Sequence, residues 1–345
     1  MIRQMRRFAK YICFLISAVP FLAACTKVQQ ENVPDAICFN LDLNDLRTKA
    51  TLFDGGDCLT DKENGGGDFR LYAYLDGTAT PAINNARVNY IINNGVLGWY
   101  FRDENGTPDI EVDDKIVDYY WPLGATMDFF AHMPMDLSDT GITLKPYSVT
   151  TGPSFSCDLP LDNAGQENIQ EFIYAYTENQ TVATQNANNG VRMNFQHPLS
   201  CVVFRLGQSY RIKINSVSLT NIYKTGNFSN GTWTGDGAGN HSLNIDVNKT
   251  VGDGINYNSL IGGPYLVMPQ TFNTDDSRLV LNYDYGSEIG KTASLPIRAL
   301  STGGWEPGKK YTYTLNMGDS GEEVVFTVAV DEWDVMEYKN EIDVE

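Results

Sequence analysis

VRMNFQHPLSCVVFRL, residues 191–206, carries a strong strand pattern. Apolar and polar residues alternate as far as Phe195, and an apolar strand follows the His197-Pro198 pair. Such alternation puts one face of a strand into a core and leaves the other in water. Just before it lies ENQTVATQNANNG (178–190), rich in Asn and Gln with few large apolar residues. Polar, weakly hydrophobic stretches of this kind separate compact units, so a domain boundary is expected near residue 185.

The same β texture extends outward. RLYAYL (70–75), RVNYII (87–92) and KINSVSL (213–219) are short runs rich in β-forming residues. They are punctuated by turn signals at Asn93-Asn94-Gly95, Glu104-Asn105-Gly106 and Ser229-Asn230-Gly231. Helical periodicity is hard to find; residues 168–175 have room for a short helix, but 172–176 reads better as a strand. The chain of 345 residues is long for one core and comfortable for two. An all-β protein of two tandem β-sandwiches is predicted, residues 48–184 and 185–345.

The N-terminus predicts a destination. Arg3, Arg6, Arg7 and Lys10 form a cationic head, followed by an apolar run from Tyr11 to Leu22. That run is shorter than the roughly 20 residues that span a bilayer, and it has the grammar of a signal peptide. Leu22-Ala23-Ala24-Cys25 resembles a bacterial lipobox. Residues 1–24 are then a lipoprotein signal peptide, and Cys25 is the lipidated first residue of the mature chain. The chain holds 43 acidic against 25 basic residues, and the leader removes only basic ones. A surface this acidic excludes nucleic acid as a partner, because that affinity comes from basic contacts to phosphate.

Residues 37–46, ICFNLDLNDL, alternate again: Phe39, Leu41 and Leu43 point one way, Asn40, Asp42 and Asn44 the other. That is a half-buried strand whose apolar face lies against something, tied to the body through Arg47-Thr48-Lys49. By itself it reads as an ordinary first strand and turn.

Chemistry is sparse. His132, His197 and His241 have no partner at metal-ligand spacing, so no metal and no cofactor are expected. Nucleophile-elbow, zinc-protease and phosphate-loop motifs are absent. The Gly-rich segment 235–239 reads as a hairpin tip. The acidic pairs Asp113-Asp114 and Asp275-Asp276 sit in polar loops and read as solvated surface rather than a glycosidase pair. Cys38, Cys58, Cys157 and Cys201 lack a C-x-x-C arrangement and read as buried or free thiols rather than two disulfides. Aromatics cluster at 99–101 and 119–121. At strand spacing they are core packing; exposed, they would stack on sugars, with Trp99 and Trp121 as the ligand-contact candidates.

Five segments in order resemble one family. IVDYYWPLGATMDFFAHMP (116–134) is similar to the Tyr-Trp-Pro then Phe-Phe-Ala-x-x-Pro signature of the Bacteroidetes fimbrillins, the Mfa-like proteins. VRMNFQHPLSCVVFRL resembles their Phe-x-His-x-Leu-Ser strand, and YLVMPQTF (265–272) their Pro-Gln motif. WEPGKKYTYTLNM (305–317) and FTVAVDEW (326–333) resemble their closing hairpin with its terminal Trp. These are fold signatures, so no catalytic residue carries over and no enzyme is expected.

The resemblance implies two transthyretin-like β-sandwiches and export to the outer membrane, held there by lipid on Cys25. It also implies assembly into a surface fimbria that supports adhesion. In polymerising members an Arg-specific, trypsin-like protease removes the N-terminal strand, and a strand from another fimbrial subunit fills the groove. Here that makes 25–47 the lipidated segment, with Phe39, Leu41 and Leu43 as the removable strand. The cut falls between Arg47 and Thr48, and the donor is sought in 324–344. Removal would expose apolar core and unpaired backbone, and a donated strand would restore both. The family also holds members that do not polymerise. The alternative is therefore a tip adhesin, an anchor or a lipid-anchored surface protein with a host or glycan ligand.

Overall fold

The computed structural model describes residues 35–41, 67–103, 116–207, 212–237, 239–251, 254–255, 257–300, 303–317 and 324–333. All lie in one compact unit, Asp35–Glu345. Along the first part of the chain run β1 (Phe39–Asn40), β2 (Asp68–Leu75), β3 (Pro81–Asn93), β4 (Val96–Arg102), β5 (Met127–Met133), β6 (Ile142–Leu144), β7 (Ser154–Asp158), helix α1 (Asn163–Asn168), β8 (Ile173–Gln180), helix α2 (Val182–Asn188) and β9 (Val191–Arg192). Then come β10 (Ser200–Leu206), β11 (Ile212–Ile222), β12 (Thr225–Ser229), β13 (Thr232–Gly235), β14 (His241–Val251), β15 (Gly254–Ile255), β16 (Leu260–Val267), β17 (Gln270–Thr271), β18 (Arg278–Tyr285), β19 (Glu288–Pro296), helix α3 (Ile297–Leu300), β20 (Gly304–Trp305), β21 (Lys309–Met317) and β22 (Val324–Glu332). The all-β expectation holds.

A five-stranded sheet, order β4-β3-β2-β5-β8, is built wholly before residue 185. In β2, Phe69, Leu71 and Ala73 are buried while Arg70 and Tyr72 are half-exposed, as its alternation requires. The predicted turn between β3 and β4 places Asn94 and Gly95 at φ 49° and 81°. Two consecutive left-handed residues match the twist of the flanking strands, which is why Asn-Gly suits this position. One face of this sheet packs under β1, β9 and the 119–121 segment, around Phe39, Phe69, Phe101, Phe129 and Trp121.

After residue 200, sheets β15-β14-β11-β18-β19 and β16-β10-β21-β22 enclose a second core, so this half is a β-sandwich. A third core gathers Tyr74, Phe130 and Tyr174 from the first sheet with Phe155, Phe228, Cys201 and Val203. β10 therefore has two buried faces. Val202, Phe204 and Leu206 enter the sandwich core, while Cys201 and Val203 enter the shared one. That explains its near-continuous apolar run.

Two local expectations about short segments meet a different outcome, and one sheet joins the two halves of the chain. The polar stretch 178–190 contains helix α2, closed by a Thr181–Thr184 capping box and a left-handed Asn189 at φ 55°. The sheet β13-β12-β7-β6 draws strands from both sides of residue 185. The Gly-rich segment 235–239 joins β13 to β14, which lie in different sheets, rather than closing a hairpin.

Candidate functional site

The site is the seat of residues 35–41, DAICFNL. This segment is paired along both edges. On one side the Ile37 N–H donates to the Tyr119 carbonyl at 2.8 Å, and the Trp121 N–H donates to the Asp35 carbonyl at 2.9 Å, an antiparallel pairing. On the other side it runs parallel to β9, with Phe39 opposite Val191 and Asn40 opposite Arg192. There the Val191 N–H donates to the Cys38 carbonyl at 2.8 Å. The Asn40 amide adds a bond to the Asn188 carbonyl at 2.7 Å.

Side chains follow the alternation. Ile37, Phe39 and Leu41 are buried, while Ala36, Cys38 and Asn40 face outward. Phe39 meets Phe69, Phe101 and Phe129 edge-on, with ring centroids at 5.9, 5.3 and 6.2 Å. Each of the three buried side chains contributes about 1.5–3 kcal/mol by leaving water. Gly190 lets the segment approach: at its φ of +132°, a Cβ would lie 2.6 Å from the Phe39 carbonyl carbon.

Gln185 completes the seat from the inner side of α2. Its Oε1 accepts from the Cys38 N–H at 3.0 Å and from the Trp121 indole N–H at 2.9 Å. Its Nε2 donates to the Ala36 carbonyl at 2.9 Å. The side chain is buried and both of its polar atoms are hydrogen-bonded. Partial burial pushes the Cys38 thiol above its usual range. Cys38 and Cys157 are free thiols.

Of the predicted strand, Phe39 and Leu41 occupy this core together; Leu43, Arg47, Thr48, Cys25 and the leader 1–24 lie outside the described residues. Trp99 and Trp121 require a correction as ligand contacts. They are 8% and 3% exposed. Trp99 packs on Phe69 and Tyr90 from the covered face of the first sheet, and Trp121 packs on Phe129 from the segment that covers it. A cleft of about 300 Å³ elsewhere is lined by Tyr72, Tyr74, Phe130 and Tyr147, the last two tyrosines stacked at 3.8 Å.

At the C-terminal end, β22 is an edge strand paired antiparallel with β21 from Lys309–Glu332 to Met317–Val324. Its end is fastened by Trp333, whose N–H donates to the Gly308 carbonyl at 2.9 Å. Trp333 covers His197, whose imidazole meets the Glu171 carboxyl in the interior. Neither Gln185 nor this pair stood out in the sequence; the Thr181-x-x-Thr184 cap was the one local signal. Asp275, by contrast, is a surface group whose carboxyl Arg298 holds below the usual range. Among the described residues no cluster of His, Cys, Asp and Glu is arranged to hold a metal.

The model of the fimbrillin-like family matches residues 57–333. The chain belongs to that family. No curated relative matches it. The structure is similar to that of a fimbrial protein from Bacteroides vulgatus, with a TM-score of 0.56 at 16% identity over 86% of this chain and 99% of that one. It is also similar, more distantly, to the tip fimbrial protein Mfa3 from Porphyromonas gingivalis, with a TM-score of 0.41 at 10% identity over 77% of this chain and 94% of that one. Membership of the family supports a fimbrial role at the cell surface, in association with other fimbrial subunits, for this fimbrillin.

Proposed function

We propose that this fimbrillin is a structural subunit of an adhesive surface fimbria, exported to the outer membrane as a lipoprotein precursor lipidated at Cys25. An Arg-specific, trypsin-like protease cuts between Arg47 and Thr48 and releases the segment that carries Phe39, Leu41 and Leu43. A strand from a neighbouring subunit then enters the groove. The observation that carries this reading is the seat itself: a segment paired on both edges, with three apolar anchors, whose loss uncovers Phe69, Phe101 and Phe129. Open edges and bare aromatics favour strand addition.

The donor falls within 324–344. β22 makes a nine-pair ladder on its own sheet, which favours the part beyond Trp333. There Met336, Tyr338, Ile342 and Val344 fall at alternate positions broken only by Asn340, with Glu337, Lys339, Glu341 and Asp343 between them, a pattern suited to a half-buried strand.

The test is the N-terminus and intact mass of the protein recovered from the cell surface. A start at Thr48 without lipid, with a ladder of multimers that an Arg47→Ala variant fails to form, supports the reading. A lipidated Cys25 on the surface-resident form replaces it with an anchor or stand-alone surface lipoprotein. The tyrosine-lined cleft would then be the first place to seek a ligand.

A further inference from the structure

We infer that Gln185 reads the backbone of whichever strand occupies this groove, and so sets that strand's direction. The half of this inference that concerns an incoming strand rests on the assembly proposed above. The aromatic floor of Phe69, Phe101 and Phe129 is apolar and accepts any side chain of suitable size. Such a floor does not distinguish a strand from one running the other way, because alternate side chains still point inward. The flanking edges, one parallel and one antiparallel to the segment, admit pairing in either direction.

Gln185 is a single buried amide that offers one acceptor and one donor to the segment: Oε1 to the Cys38 N–H and Nε2 to the Ala36 carbonyl. These groups are two residues apart on one edge of the segment. The Trp121 indole N–H holds the amide in the orientation that serves both. A strand running the other way would turn its N–H groups and carbonyls out of register with this fixed pair. A reversed strand, or one too short to reach both groups, would leave a buried amide unsatisfied, which is costly. Because both bonds go to main chain, and main chain repeats every two residues, Gln185 accepts different sequences and fixes direction only; the fit of apolar anchors to the places of Ile37, Phe39 and Leu41 decides which residues sit there. Gln185 is thus a positioning residue: the anchors supply affinity, and it supplies orientation.

Two measurements test this. The first uses the full chain with its own segment in place. Amide hydrogen exchange is read residue by residue in wild type, Gln185→Leu and Gln185→Glu. Leucine removes acceptor and donor, so the Cys38 amide is expected to exchange at least tenfold faster. Glutamate keeps the acceptor, so the Cys38 amide is expected to stay within threefold of wild type. The Leu71 and Ala73 amides of β2 should hold in both. Simple loosening of α2 would not separate the two variants in this way. Equal Cys38 protection in wild type and Gln185→Leu would overturn the inference outright.

The second measurement treats each full chain with an Arg-specific protease and follows multimers. Gln185→Leu is expected to be cut at least as fast as wild type yet to yield at least tenfold less ladder. A full ladder from Gln185→Leu would overturn the reading of an incoming strand. If wild type is cut but forms no ladder, the assembly proposal fails; a positive exchange result then keeps Gln185 as the aligner of the chain's own segment only. If Gln185→Leu fails to fold, wild type and Gln185→Glu still decide through the same ladder comparison. Only the ionised glutamate is unable to donate to the carbonyl matching Ala36, so the ladder is followed from about pH 6 to pH 9: one as complete as wild type's throughout would overturn the two-point reading, and one that falls with rising pH only in Gln185→Glu would support it.

Discussion

Trp333 lies flat against His197, with ring centroids 4.2 Å apart and planes 13° from parallel. It is the last described residue of the chain, and it caps the third core. Burial of a ring this size at a strand end fastens the strand beyond its ladder. Trp333→Ala is expected to lower unfolding free energy by about 3–5 kcal/mol, read from denaturant midpoints. Exchange at β22 amides should rise more than at β10 amides. An unchanged β22 would mean that the ladder alone holds the strand.

Phe39 is the aromatic anchor of the N-terminal segment. Replacing it with Ala removes three edge-on ring contacts and should cost about 3–5 kcal/mol. The loss should appear as opening of residues 35–41, with the five-stranded sheet still protected. Hydrogen exchange at the Val191 amide, which is bonded to the Cys38 carbonyl, reports it directly. If global unfolding and this amide shift together, the segment is not separable from the sheet.

Gly190→Ala should dislodge the same segment from the opposite side. The new Cβ would stand 2.6 Å from the Phe39 carbonyl carbon and 2.7 Å from the Asn40 nitrogen, at a backbone φ of +132°. Both the strain and the clash oppose the seat, so a loss of more than about 1 kcal/mol is expected. Susceptibility of the N-terminal segment to limited proteolysis should rise, while the sandwich after residue 200 keeps its melting behaviour.

His132 makes stability depend on pH. Burial, assisted by Arg70, lowers its pKa from 6.5 to about 4, although the Pro134 carbonyl at its Nδ1 acts in the opposite sense. The folded chain therefore keeps this ring neutral where the unfolded chain takes up a proton. Its contribution is fully present above pH 6.5 and is lost as pH falls toward 4, by about 3 kcal/mol in all. Urea unfolding at pH 7.5 and 4.5 should show a smaller difference for His132→Gln than for wild type. Equal differences would place the acid sensitivity elsewhere.

Much of this was legible from period alone. The alternation of Phe39 and Leu41 correctly placed both inside, and the apolar run of 200–206 marked a strand, but not that both of its faces are buried. What period cannot give is the depth of a ring: Trp99 and Trp121 cluster with other aromatics whether they face solvent or core, and only the cover supplied by β1 and β9 decides it. Gln185 was hidden for a related reason. A buried amide in an Asn- and Gln-rich stretch looks like a linker residue, because its partners Ala36 and Cys38 are nearly 150 residues away. The pairing of β7 with β12 is equally nonlocal and has no local signature.

That pairing bears on how the protomer would carry load. β7 and β12 are neighbours in one sheet, and β10 is packed on both faces. Tension entering the part before residue 185 therefore passes to the part after it through ladder hydrogen bonds and interdigitated side chains, with no slack tether between them. Under the proposed assembly, each protomer behaves as a stiff link. Compliance in the filament is then concentrated at the joints, where a borrowed strand sits in its neighbour's groove.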